Sequence, residues 1–195
     1  MKRLTPLVAL VALSAVSLAQ TPAASHVMAG AYAEAKATKR NVFVVFHASW
    51  CGWCKKLDAF MQDKQFAPLF AKDYVVVHLD VLEQPDKKHL ENDGAGDLMK
   101  LWGGEGAGLP FLAILNPDAK LLANSMRPEN WPFKEGQNKP NPDPRPVPGK
   151  GKNTGHPAAP EEVSWFIEML HRSAPRMTDE DIAKIEKFLR SQKFD

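Results

Sequence analysis

Cysteine is nearly absent from this sequence. There are two in 195 residues, Cys51 and Cys54, and both lie in the stretch "SWCGWCKK" from Ser49 to Lys56. A small exported domain that lacks a core is stapled by several disulfides, and this count excludes that design. A structural zinc site built on four cysteines is excluded with it. Excess charge is also missing. Lys2 and Arg3 account for the formal net charge of +2, leaving 23 basic residues against 23 acidic ones. A balanced surface gives no electrostatic ground for nucleic acid or an anionic membrane as partner. Long apolar runs are lacking too. The uncharged stretch Leu4 to Leu18 falls short of the ~18 residues a spanning helix needs.

That short apolar stretch follows the basic start Met1-Lys2-Arg3 and ends in Ser17-Leu18-Ala19, which fits the small-x-small rule of signal peptidase. Residues 1–19 are therefore expected to be a signal peptide. The mature protein is expected to be periplasmic or secreted, with no stable membrane insertion after cleavage; an uncleaved anchor is the alternative. Residues 20–195 have the length of one domain with a proper core.

Along this domain, "HVMAGAYAEAKATKRN" predicts a helix rich in Ala, Glu and Lys. Val42 to Ala48, "VFVVFHA", is β-branched and aromatic without alternation, which suits a strand buried on both faces. Cys51 and Cys54 follow it at once, then Leu57, Phe60 and Met61 at helical spacing. "FAPLFAKD" predicts a short helix, and Tyr74 to Val81 a second buried strand. A broken helical region comes next, strongest at Asp97 to Trp102. "LPFLAILN" and "KLLANS", joined by Asn116 to Ala119, predict an antiparallel hairpin.

From Pro128 to Pro160 the composition changes, with nine of the sixteen prolines in that span. Such a segment cannot form a helix or an inner strand, so it reads as an extended insertion over the surface, pinned at its start by Trp131 and Phe133. Two amphipathic helices close the chain. One presents Val163, Phe166, Ile167 and Leu170; the other is capped by Thr178 and presents Ile182, Ile185 and Leu189. The fold class is α/β, a central sheet flanked by helices.

The cysteine pair therefore stands where a central strand passes into a helix. Unpaired backbone N–H groups and the positive end of the helix dipole favour thiolate there, lowering a thiol from ~8.5 toward ~3.5–7.5 at comparable positions. Cys51, nearer the helix end, is expected to be exposed and attacking. Cys54, one turn inward, is expected to be shielded and resolving. Lys55 and Lys56 add positive potential. Two other readings exist: a metal half-site completed by His47, four residues before Cys51, and a structural clip, which so short a loop makes weak.

"VVFHASWCGWCKKLDAF" resembles the active-site strand, motif and helix of the thioredoxin superfamily, and "GLPFLAIL" resembles that fold's cis-proline loop and following strand. The resemblance implies a thioredoxin-like fold with a mixed central sheet over most of the mature chain. It implies catalytic Cys51 and Cys54, with Trp50, Gly52, Trp53 and Lys55 as active-site neighbours. It also implies a cis Pro110 against the pair, with backbone beside Leu109 receiving an extended peptide. No cofactor is implied beyond the redox-active disulfide itself, and no metal. The partners implied are protein or peptide thiols and disulfides, and an electron donor or acceptor.

The sequence also departs from that family. Val45 stands where thioredoxins place a buried aspartate, so deprotonation of Cys54 needs water, Asp80 or Glu105 instead. Gly52-Trp53 replaces Gly-Pro and lacks the histidine of strongly oxidising relatives. The first strand of thioredoxin is missing, and the Pro-rich insertion is extra. The leading expectation is an exported thiol–disulfide oxidoreductase that reduces or exchanges disulfides in other exported proteins. The alternatives are a binding or copper-delivery module with a non-catalytic CxxC, and a scaffold for the Pro-rich segment.

Overall fold

In the strand β1 (Asn41–His47), the five residues Val42 to Phe46 are all buried, as a run without alternation requires. The structure, a computed structural model, describes residues 21–129, 131 and 151–192. The expected signal peptide, Phe133 and the middle of the Pro-rich insertion lie outside these residues. β1 pairs in parallel with β2 (Tyr74–Asp80) and antiparallel with β3 (Phe111–Leu115); β3 pairs antiparallel with β4 (Leu121–Asn124). The mixed sheet thus has the order β2-β1-β3-β4.

Alternate residues of β1 and β3 serve two cores. Phe43, Val45, Leu112 and Ile114 pack on three helices, α2 (Gly52–Met61), α5 (Pro160–Ser173) and α6 (Asp179–Ser191), through residues such as Leu57, Phe60, Phe166, Leu170 and Ile185. On the other face, Val42, Val44, Phe46, Phe111 and Ala113 meet α1 (Ala24–Thr38) and α4 (Ala95–Leu101), including Met28, Ala31, Ala35 and Met99. A short α3 (Ala67–Asp73) leads into β2, and a 3-10 turn at Pro85–Leu90 precedes α4.

The last two helices begin where their sequences dictate. Thr178 Oγ1 accepts from Asp181 N while Asp181 Oδ2 accepts from Thr178 N, each at 3.1 Å, closing a capping box. At the head of α5, Glu162 Oε2 accepts from Ala158 N and Ala159 N at 3.0 and 2.8 Å, and Pro160 occupies the first turn, where its missing N–H has no cost. The loop between α5 and α6 is held by Asp73, which is buried and accepts from Arg176 N and Met177 N. No helix of the described residues is long and apolar enough to cross a membrane.

Two expectations are corrected. β2 is an edge strand rather than a buried one. Among the described residues no strand lies beyond it, and Val76 is exposed. The end of the Pro-rich segment is not a surface excursion. Lys152–Asn153 (β6) pairs antiparallel with Met126–Arg127 (β5), and residues 154–157 that follow are buried. Ladder hydrogen bonds are open to a segment wherever proline does not sit, and none sits at 151–156. Trp131 does pin the outgoing limb: its Nε1 donates to Ser164 Oγ at 2.8 Å, and its ring stands edge-on to Trp165.

Candidate redox site

β1 delivers the chain to a tight turn at Ala48–Trp50, closed by Cys51 N donating to Ala48 O at 3.0 Å. Cys51 has extended backbone and serves as the N-cap of α2, its Sγ accepting from Cys54 N at 3.1 Å. Sulfur therefore occupies the place an oxygen takes in most caps, facing the N–H groups of the first turn. Cys51 and Cys54 are joined in a disulfide across 5.3 Å between Cα atoms.

Both cysteines are buried, and Leu109 and Ala48 pack against them. This corrects the expectation of an exposed Cys51. In the disulfide both sulfurs are tucked beneath a rim, and the exposed groups are that rim: Trp50 at 49%, Trp53 at 43%, and beside them Gly52 and Lys55.

The turn is fastened by a residue that sequence reasoning missed. Glu83 follows β2 and is buried; its two carboxylate oxygens accept from Ser49 N and Ser49 Oγ. Burial opposes ionisation of Glu83, but the Ser49 donors outweigh it and hold the carboxyl below its ordinary value. One residue earlier, Leu82 O accepts from Trp50 Nε1 at 2.8 Å, with Leu82 in left-handed backbone. The only sequence signal for this clamp is an acidic residue just past a strand, which is too common to single out.

Val45 is fully buried, and its register partner on β2 is His78. A polar cluster gathers on this face. His78 Nε2 lies 2.8 Å from Asp58 Oδ1, His47 Nε2 lies 3.3 Å from Asp80 Oδ1, and the two imidazoles stand 5.0 Å apart. Burial pushes His47 down and Asp80 up, each toward its neutral form. Asp58 is one helical turn beyond Cys54 on α2, so the cluster lies under the inner cysteine's side of the helix. Of the expected proton acceptors, Asp80 belongs to this cluster, whereas Glu105 is an exposed partner of Lys100 at 2.7 Å. Among the described residues no group of three or more His, Cys, Asp or Glu is arranged to hold a metal ion.

On the far side of the pair, the Leu109–Pro110 peptide bond is cis. Beside it opens a cleft of about 330 Å³ lined by Trp53, Gly108 to Pro110 and Asn153 to His156. The imidazole of His156 stacks on Trp53 with ring centres 5.8 Å apart, and Lys56 Nζ lies 4.4 Å from the Trp53 ring centre. Burial, and then the Lys56 charge, pushes His156 down to about 4. In the sequence, residues 153–156 stand out only as part of an insertion, because nothing periodic marks them.

Residues 24–117 match a family described as thioredoxin-like. No curated protein matches the chain. Among solved structures, a disulphide isomerase from Xylella fastidiosa Temecula1 is 26% identical, with 55% of this chain and 77% of that one covered and a TM-score of 0.45. A DsbH oxidoreductase is 22% identical over 57% of this chain and 76% of its own, with a TM-score of 0.39. A thioredoxin from Thermus thermophilus is 20% identical over 53% and 71%, with a TM-score of 0.37. The matched segment contains β1, the cysteine pair, β2 and the Leu109–Pro110 loop with its strand. Residues 24–117 are thus similar to the thioredoxin-like family, and they carry a CxxC disulfide suited to thiol–disulfide exchange.

Proposed function

We propose that the protein is an exported thiol–disulfide oxidoreductase that reduces or exchanges disulfides in other exported proteins. The observation that carries this reading is the Cys51–Cys54 disulfide at the head of α2, with Cys51 Sγ as the N-cap. The basic start and short apolar stretch of residues 1–19 support export. In the reduced protein, the Cys51 thiolate attacks one sulfur of a substrate disulfide. A Cys51–substrate bond forms, the substrate S–S bond breaks, and the departing thiolate takes a proton. Cys54, after losing its proton, attacks Cys51 Sγ; the Cys51–Cys54 bond re-forms and the second substrate thiol leaves. Two electrons pass to the substrate, and a dithiol donor must return them. The peptide runs extended beside Leu109, with Trp50 and Trp53 as apolar rim.

The test is a Cys54→Ser variant produced with its leader. It is expected to retain exported proteins as mixed disulfides released by dithiothreitol, while the reduced wild type cleaves the disulfides of insulin. Failure of both would reject the proposal. Titration of the wild type against glutathione then gives the direction of electron flow, since ~30 mV corresponds to 1.4 kcal/mol for a two-electron couple.

A further inference from the structure

The return limb of the Pro-rich insertion is built into the substrate side of the site. Asn153 Nδ2 donates to Gly108 O at 2.7 Å and to Pro110 O at 2.9 Å, spanning the loop that carries Leu109. Its Oδ1 accepts from Ser125 Oγ at 2.7 Å and from Gly155 N at 3.3 Å. Ser125 is itself fixed to the strand after the loop, its Oγ accepting from Leu112 N at 2.8 Å and its N donating to Leu112 O at 2.9 Å. Thr154 N closes the circuit by donating to Ser125 O at 2.8 Å. Gly155 lies so near that a Cβ there would stand 3.0 Å from Pro110 O, in backbone with φ +56°. One amide side chain thus uses donors and acceptor together to tie the insertion, β4's exit and the Leu109 loop into a single unit.

We infer that Asn153 is a positioning residue: it fixes the Leu109–Pro110 loop at the height where an extended peptide meets the Cys51–Cys54 pair, so the return limb of the insertion is part of the substrate-binding apparatus. The inference rests on the oxidoreductase reading above. It follows from direction as well as distance. Asn153 takes up the carbonyls of Gly108 and Pro110, the two residues that flank Leu109. A peptide substrate needs that loop in place along its whole contact, whereas a small disulfide needs little more than the sulfurs. Losing the tie therefore weakens peptide binding more than it slows sulfur chemistry.

The test compares insulin with a small aromatic disulfide as substrates of the reduced protein. Asn153→Asp keeps an acceptor for Ser125 and Gly155 but removes both donations to the loop. The expected result is a rise of about fivefold to tenfold in KM for insulin, the scale of one or two hydrogen bonds. The loss on the small disulfide should be clearly smaller. Equal losses on both substrates, or no change in KM for insulin, would overturn the inference. Gly155→Ala presses on Pro110 O with Asn153 intact and is expected to give the same KM-weighted loss; it decides the matter if Asn153→Asp does not fold by circular dichroism. A wild type inactive on both substrates would instead overturn the oxidoreductase reading, and this inference with it.

Discussion

Ser49 Oγ donates to Glu83 Oε2 at 2.8 Å, while Ser49 N donates to the other oxygen of the same carboxylate. Two elements far apart in sequence, the turn before Cys51 and the loop after β2, thus meet at one acidic group. Replacing it as Glu83→Gln removes the charge and one acceptor, and is expected to cost about 1–3 kcal/mol at neutral pH. The sign with pH is fixed. A carboxyl held below its ordinary value in the folded state stabilises above its unfolded pKa, and this contribution is lost as pH falls through the native value. Urea denaturation at pH 7 and at pH 3 should show the gap between wild type and variant closing in acid.

His156 carries a proton linkage of the same sign, through a group that gains charge in acid rather than losing it. It is neutral in the fold, with its pKa down to about 4, against ~6.5 when unfolded. Above the unfolded value neither state holds the proton, and stability does not depend on this group. Between the two values only the unfolded chain binds it, so stability falls as pH drops, by up to about 3 kcal/mol, and levels off below the native pKa. His156→Phe keeps a ring against Trp53 without a titrating nitrogen. Thermal melts at pH 7, 5.5 and 4.5 are expected to show a shallower acid loss in the variant.

Gly104 is required for packing. A Cβ there would stand 2.8 Å from Met99 Cγ and from a ring carbon of the fully buried Phe111. Gly104→Ala is expected to destabilise by about 1–3 kcal/mol, the cost of overpacking a filled core, read as a lowered midpoint in guanidinium.

Asp73→Ala removes the acceptor of Arg176 N and Met177 N in a buried setting. A loss of about 1–3 kcal/mol is expected for the donors left unpaired, and differential scanning calorimetry measures it.

The parts of the site that could be read in the sequence are those made by local pattern. An apolar run without alternation gave β1, and spacing at Leu57, Phe60 and Met61 gave α2, so the placement of Cys51 and Cys54 between them followed. Thr178 marked the start of α6 by the same local chemistry. What escaped depends on contacts across the chain. Glu83 is 34 residues from Ser49, and an acid after a strand carries no distinguishing signal. The exposure of Val76 on β2 depends on whether a neighbouring strand exists, which the strand's own composition does not encode. Burial of Cys51 arises from Leu109 folding over it, and Asn153 gains its place through Ser125, 28 residues away.

The β5–β6 ribbon gives the insertion a fixed doorway. Met126–Arg127 and Lys152–Asn153 are zipped together where the segment leaves and returns, so Asn153 reaches the loop from a hinge that is already anchored. Loop closure grows slowly with length, about 0.6 kcal/mol for each doubling. A longer enclosed chain would therefore add little to the cost of closing the doorway, so a cargo sequence inserted there is expected to leave the catalytic neighbourhood in shape.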